Sequence, residues 1–193
     1  MSLVILGGTF NPVHIGHLFL AEEVLTQFGF EKVLLIPSNR PAHKNIEGQI
    51  TSEQRLDMLR LAVESTPWCV VEPCEIIRGG ISYSIDTVRC VLQKYPKQNK
   101  PALVIGDDLF EGFMTWKDAP ELIQMSRLLV AHRLYSHQLQ FKTEHEYINN
   151  KILPVSSSEI RQRVSEGKVF RHLVPKNVFE YISDHKLYTG VSS

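Results

Sequence analysis

Two histidines, His14 and His17, flank Gly16 in the segment GGTFNPVHIGH, which runs from Gly7 to His17. An imidazole can donate a hydrogen bond to a phosphoryl oxygen and, when protonated, can offset charge that builds there. Gly7 and Gly8 carry no side chain, so backbone can approach a ligand closely. The segment follows an apolar run and enters a helical pattern. Its free N–H groups therefore lie at the positive end of a helix, where phosphate is the natural guest. It is not a P-loop, since no G-K-[ST] follows the glycines, nor is it the dinucleotide G-x-G-x-x-G. An H-x-x-H pair can also bind metal, but no third ligand is suggested nearby.

A second anion cradle is written in VSSSEIR, Val155 to Arg161. Ser156 to Glu159 has the form of a capping box, with Val155 and Ile160 placed as a hydrophobic staple. Ser158 and Arg161 are three apart and share a helix face. A hydroxyl and a guanidinium at a helix start suit a phosphate. Lys44, in the loop segment Pro41 to Lys44, is a point charge suited to the same ligand, whereas His43 reads as structural. Ile81 to Thr87, ISYSIDT, opens a helix whose N–H groups could receive a carboxylate. Trp116 lies between polar Thr115 and Lys117 and offers a ring face for stacking. Asp107 and Asp108 follow Gly106 at a strand end, where either could bind a ribose hydroxyl; Arg133 follows the next strand.

These residues need elements to hold them. Leu3 to Leu6, Val33 to Ile36, Val70-Val71, Ala102 to Ile105 and Leu128 to Ala131 read as buried strands. Leu18, Ala21, Leu25 and Phe28 recur at helical spacing before Gly29, a C-cap. Thr51 to Gln54 is another capping box, and Leu56, Leu59 and Val63 give its helix an apolar stripe. Ser84 is placed to cap a helix reaching about Lys94. Pro175 opens a last amphipathic helix carrying Val178 and Ile182. Ser136 to Lys151 is charged and poorly periodic, and reads as a surface excursion. Strand–helix alternation with apolar strands means a doubly wound, mainly parallel sheet with helices on both faces. Ligands of such sheets bind beyond the carboxyl ends of the strands. Gly7-Gly8, Pro37 and Gly106-Asp107 all fall at such ends.

The chain has 193 residues, which suits one domain, 1–193, with the helical part from about 156 completing the phosphate site. Lys plus Arg number 21 and Asp plus Glu 21, which argues against a bulk electrostatic partner such as duplex DNA or an anionic membrane. No apolar run reaches the roughly 18 residues of a membrane span. Cys69, Cys74 and Cys90 form no C-x-x-C pair, which points to a reducing compartment and a cytoplasmic address.

GGTFNPVHIGH matches the H-x-G-H motif of the nucleotidyltransferase superfamily. From about Leu3 to Tyr188 the chain resembles the bacterial nicotinate-nucleotide adenylyltransferases. VSSSEIR is similar to their I-S-S-T-x-I-R, with Ser158 for Thr and the hydroxyl kept. PAHK matches P-x-H-K, Gly106 and Asp108 match G-x-D, and Arg55 also matches a family position. The resemblance implies a Rossmann-like nucleotidyltransferase fold. It implies adenylyl transfer from ATP to nicotinate mononucleotide by direct in-line attack, giving nicotinate adenine dinucleotide and pyrophosphate. His14, His17, Lys44 and Arg161 are then catalytic. ATP contacts fall to Gly7, Gly8, Thr9, Phe10, His17, Gly106, Asp108, Ser157, Ser158 and Arg161. Mononucleotide contacts fall to Asn11, Lys44, Tyr83, Ser84, Thr87, Trp116 and Arg133. Mg²⁺ arrives with ATP and no metal is held by the protein alone. The partners are ATP and nicotinate mononucleotide, with no nucleic acid and no membrane; a homo-oligomer is left open. Two alternatives remain. One is a sister transferase with nicotinamide mononucleotide or pantetheine phosphate as acceptor; the other is a non-catalytic nucleotide-sensing module.

Overall fold

The computed structural model describes residues 2–190 apart from 43–45, 48–49, 97–98, 135–137 and 139. Lys44 and His43 therefore lie outside the described residues. The strands are β1 (Leu3–Gly8), β2 (Lys32–Pro37), β3 (Arg40–Pro41), β4 (Cys69–Val71), β5 (Ile81–Ser82), β6 (Ala102–Gly106), β7 (Arg127–Ala131) and β8 (Glu146–Ile148). The helices are α1 (Ile15–Phe28), α2 (Ser52–Val63), α3 (Cys74–Arg78), α4 (Ser84–Lys94), α5 (Asp107–Phe110), α6 (Ala119–Met125), α7 (Ser157–Ser165) and α8 (Lys176–Asp184). Six strands form one parallel sheet in the order β4-β2-β1-β6-β7-β8, and β3 and β5 pair separately.

Strand periodicity divides the core. Val4 and Leu6 of β1, with Val33 and Leu35 of β2, pack on one face together with Ala21, Met58, Leu59, Val178 and Ile182 from α1, α2 and α8. Leu3, Ile5, Leu34 and Ile36 point the other way, against Ile85, Val88 and Val91 of α4 and Leu122 of α6. Both faces are thus covered, as a parallel sheet of apolar strands requires.

The order also explains where a ligand can sit. From β1 the chain steps outward to β2 and β4, then returns to lay β6 on the other side of β1. The connections leave in opposite directions at β1 and β6, and a crevice opens at their carboxyl ends. Gly7, Gly8 and Gly106 end those two strands.

Three expectations need correction. Ser136 to Lys151 is not only a surface excursion: Glu146–Ile148 adds β8, an edge strand parallel to β7, with Ile148 fully buried. Ser84 does not cap α4; it is the first helical residue and Tyr83 holds the cap position. Only one half of the expected box stands at α7. The Ser156 hydroxyl accepts from the Glu159 N–H at 3.1 Å, while the Glu159 carboxylate accepts from Arg163 at 2.9 Å. At α2, by contrast, Thr51 and Gln54 make both bonds.

Candidate active site

The first helix begins on its histidines. His14 has extended backbone, and its N–H donates to Nδ1 of His17 at 3.2 Å. A ring nitrogen that accepts carries no proton, so the proton of neutral His17 lies on Nε2. The two rings stack at 3.7 Å, and the edge of Phe10 meets His17 at 4.9 Å. His17 is held by its neighbours on two sides.

His14 is deeper, only 7 % exposed, and its Nδ1 has no hydrogen-bond partner. Burial, and then the positive charge of Arg133, lower its pKa to about 4, so the ring is neutral at physiological pH. His14 is therefore a neutral imidazole in the free protein, and among the described residues Arg133 and Arg161 bring positive charge to the site. Gly16 is needed for this packing. A Cβ there would lie 3.0 Å from Val155 and 3.1 Å from the His14 ring.

The second cradle reaches the same place from α7. Ser157 donates its hydroxyl to the Pro12 carbonyl at 2.8 Å, which ties α7 to the loop before α1. Arg161 donates to the carbonyl of Asn11 at 2.8 Å and to the Ser158 hydroxyl at 3.2 Å. Its other partner is the carboxylate of Glu47, an exposed residue of the loop after β3. An anion thus rests on the Arg161 guanidinium in the free protein. The starts of α1 and α7 are thus brought side by side, joined through Pro12, Asn11 and the contact of Gly16 with Val155.

At the ends of β6 and β7 the two aspartates divide their roles. Asp107 is 1 % exposed, and its Oδ1 accepts the N–H groups of Arg133 and Leu134 at 3.0 Å each. Asp108 is exposed and lies 3.4 Å from Arg133 Nη1. Asp107 shapes the loop and Asp108 faces the crevice. A Cβ on Gly106 would fall 2.5 Å from the Arg133 side chain, so that side chain crosses directly over the glycine. Arg133, expected to contact the mononucleotide, stands beside His14, Asp108 and Gly106 at the ends of β6 and β7.

That second pocket lies along α4. The 3₁₀ turn Phe113–Thr115 brings Trp116 to within 5.4 Å of the Phe113 ring, half-buried at the edge of the core. Lys117 sits 4.7 Å above the Tyr83 ring and pairs with Asp86 at 3.0 Å. Lys117 thus ties the segment after Trp116 to the first turn of α4, whose N–H groups have no partners within the helix.

Three expected contact residues turn inward. The Phe10 ring is buried against Gly8 and His17, so only its backbone faces the crevice. Asn11 is 4 % exposed: its amide donates to the Glu47 carbonyl and its oxygen accepts from the Tyr188 hydroxyl, each at 2.8 Å. The Thr87 hydroxyl is buried between the Glu75 carboxylate and the Tyr83 carbonyl. The Asn11 and Thr87 side chains are thus tied into the protein, Asn11 to Glu47 and Tyr188 and Thr87 to Glu75 and Tyr83. Thr9 stays half-buried in the loop after β1. Tyr188, which the sequence pattern did not single out, closes the back of the phosphate loop from the far end of the chain.

Known proteins share the sequence pattern and the fold of this chain. The cytidylyltransferase-like family pattern matches residues 5–163. A Borrelia garinii subsp. bavariensis protein named "Probable nicotinate-nucleotide adenylyltransferase" is 48% identical over 188 residues, covering 97% of this chain and 95% of that one. A Borreliella burgdorferi protein of the same name is 47% identical, covering 97% of each chain. Among solved structures, the Plasmodium falciparum nicotinic acid mononucleotide adenylyltransferase complexed with NaAD superposes with a TM-score of 0.77 over 97% of both chains. At 14% identity that likeness is one of fold.

Proposed function

The chain belongs to the cytidylyltransferase-like family and, within it, to the nicotinate-nucleotide adenylyltransferases, and from that premise we propose that it joins ATP and nicotinate mononucleotide in NAD biosynthesis. The observation that carries the reading is the meeting of two helix starts, the Nε2–H of His17 and the Arg161 guanidinium at the carboxyl ends of β1 and β6.

In this reading a phosphate oxygen of the mononucleotide attacks the α-phosphorus of ATP. The bond to the β-phosphate bridging oxygen breaks, and pyrophosphate leaves with that electron pair. The nucleophile is already ionised, so no general base is required. Catalysis rests on alignment and on donors aimed at the oxygens that gain charge. His17 donates Nε2–H to the reacting phosphate, and neutral His14 supports the ring behind it. Arg161, Ser158 and Lys44 hold the departing pyrophosphate, and Glu47 yields Arg161 to it. Asp108 accepts from the ATP ribose. Trp116 stacks on the pyridine, and the α4 N–H groups receive its carboxylate.

Among the described residues no three His, Cys, Asp or Glu side chains gather into a metal cage. Imidazole, guanidinium and backbone N–H donors suit a triphosphate that brings its own Mg²⁺, which spreads charge on the phosphate oxygens. Among the described residues no helix is long and apolar enough to cross a membrane.

Incubating the protein with ATP, Mg²⁺ and nicotinate mononucleotide, and following pyrophosphate and dinucleotide together, tests the assignment. Equimolar formation of both is expected. Release of pyrophosphate only with pantetheine phosphate, or with no acceptor at all, contradicts it.

A further inference from the structure

Arg55 is buried in α2, 1 % exposed, yet makes no ion pair among the described residues. Burying a charge is costly unless its donors are well used. Its donors go to two carbonyls instead. Nη1 donates to Thr9, in the loop after β1, at 2.7 Å. Nη2 donates to Asn39, in the loop after β2, at 3.1 Å. Its Nε has no hydrogen-bond partner. The burial draws its pKa below the ordinary guanidinium range, against weaker opposing pulls from Tyr188, Glu53 and Glu75.

The second carbonyl belongs to a residue that leads elsewhere. The Asn39 amide donates to the Gly80 carbonyl at 2.9 Å, and its N–H donates to the Ser82 hydroxyl at 2.9 Å. Gly80 and Ser82 stand on either side of Ile81, and Ser82 directly precedes Tyr83, the cap of α4. One hydrogen-bonded chain thus runs from Thr9 through Arg55 and Asn39 to Gly80, by the Asn39 side chain, and to Ser82, by its N–H. Its first member lies in the loop that carries the phosphate motif, and its last stands directly before Tyr83 and Ser84.

We propose that Arg55 is a positioning residue that sets the distance between the triphosphate loop and the acceptor pocket, so that the mononucleotide phosphate meets the α-phosphorus in line. This rests on the adenylyl-transfer reading above. A planar fork is required, because two carbonyls on separate loops are spanned by one rigid group. Lysine keeps the charge but cannot hold both carbonyls in that plane. An error of about 1 Å in the approach of two reactants costs on the order of 100-fold in rate.

The test is R55K, studied with saturating and varied concentrations of each substrate. The expected result is a fall in kcat of about 10- to 100-fold, with both KM values within about threefold of wild type. N39A removes the side-chain link to Gly80 without touching the buried cation, and keeps the test alive if R55K does not fold. It is expected to lower kcat by about three- to tenfold, and R55K/N39A is expected to be little worse than R55K. Unchanged kcat in a folded R55K, with only a lower Tm, overturns the proposal by making Arg55 a stability residue. Unchanged kcat in N39A, or full additivity in the double variant, overturns it as well. If the wild type itself makes no dinucleotide, the adenylyl-transfer reading has failed instead; active wild type with active variants sinks only the positioning role.

Discussion

The two halves of the crevice are built differently. The half proposed for the triphosphate hangs on the ends of long, buried elements: β1, β6 and the starts of α1 and α7. Its side chains are packed or hydrogen-bonded before any ligand arrives, as His14, His17 and Arg161 illustrate. The acceptor half is made from short pieces, a two-residue strand, one helix turn and a 3₁₀ turn, with Trp116 half-buried and Lys117 exposed. The chemistry common to a family of transferases belongs on the rigid half, where misplacement is most costly. The choice of acceptor belongs on the adjustable half, where loop changes are tolerated.

That contrast is broken most directly by H17A. Removing a preorganised donor to the reacting phosphate is expected to lower kcat by about 100- to 1,000-fold. The fold should persist, because the ring is half-buried at a helix start. Near-normal turnover with unchanged circular dichroism would remove His17 from the chemistry. W116A sharpens the other half: the KM for nicotinate mononucleotide should rise by about tenfold, with little change in the KM for ATP. An effect confined to ATP would place Trp116 in the wrong pocket.

The smallest expected effect concerns stability. His14 has a folded pKa of about 4 against 6.5 in the unfolded chain. Above pH 6.5 the ring is neutral in both states and contributes no pH dependence. As pH falls from 6.5 toward 4, the unfolded chain takes up a proton that the folded one refuses. Stability should therefore drop through that window, by at most about 3 kcal/mol. H14Q should lack this component, so the gap between the two stability–pH curves should change between pH 6.5 and 4. Parallel curves would show that the ring is not held neutral.

The same contrast explains what could be read from residues alone. Long apolar runs and complete caps announced β1, β2, β6, β7, α1, α2 and α8, and the GGTFNPVHIGH segment announced the phosphate end. β8 was hidden because three residues within a charged stretch carry almost no periodicity, and it needs β7 beside it to exist. Tertiary partners were hidden too. Asn11 reads as a ligand-facing polar residue until Tyr188, 177 positions away, takes its oxygen. Thr87 reads as a mononucleotide contact, while its hydroxyl donates to the buried Glu75 carboxylate, and Arg55 reads only as a match to a family position until the fold buries it between two loops. Asp107 and Asp108 are equal in sequence; only the N–H groups after β7 separate them.

The proposed acceptor is the acid form of the pyridine nucleotide, and the proposed seat of its carboxylate is the start of α4. Nicotinate and nicotinamide mononucleotides differ there and nowhere else, so the ratio of their kcat/KM values with ATP and Mg²⁺ is the decisive measurement. A charged hydrogen bond contributes about 1.5–3 kcal/mol, so the acid should be favoured by roughly 10-fold or more. Equal values, or a preference for the amide, would contradict the assignment of that pocket.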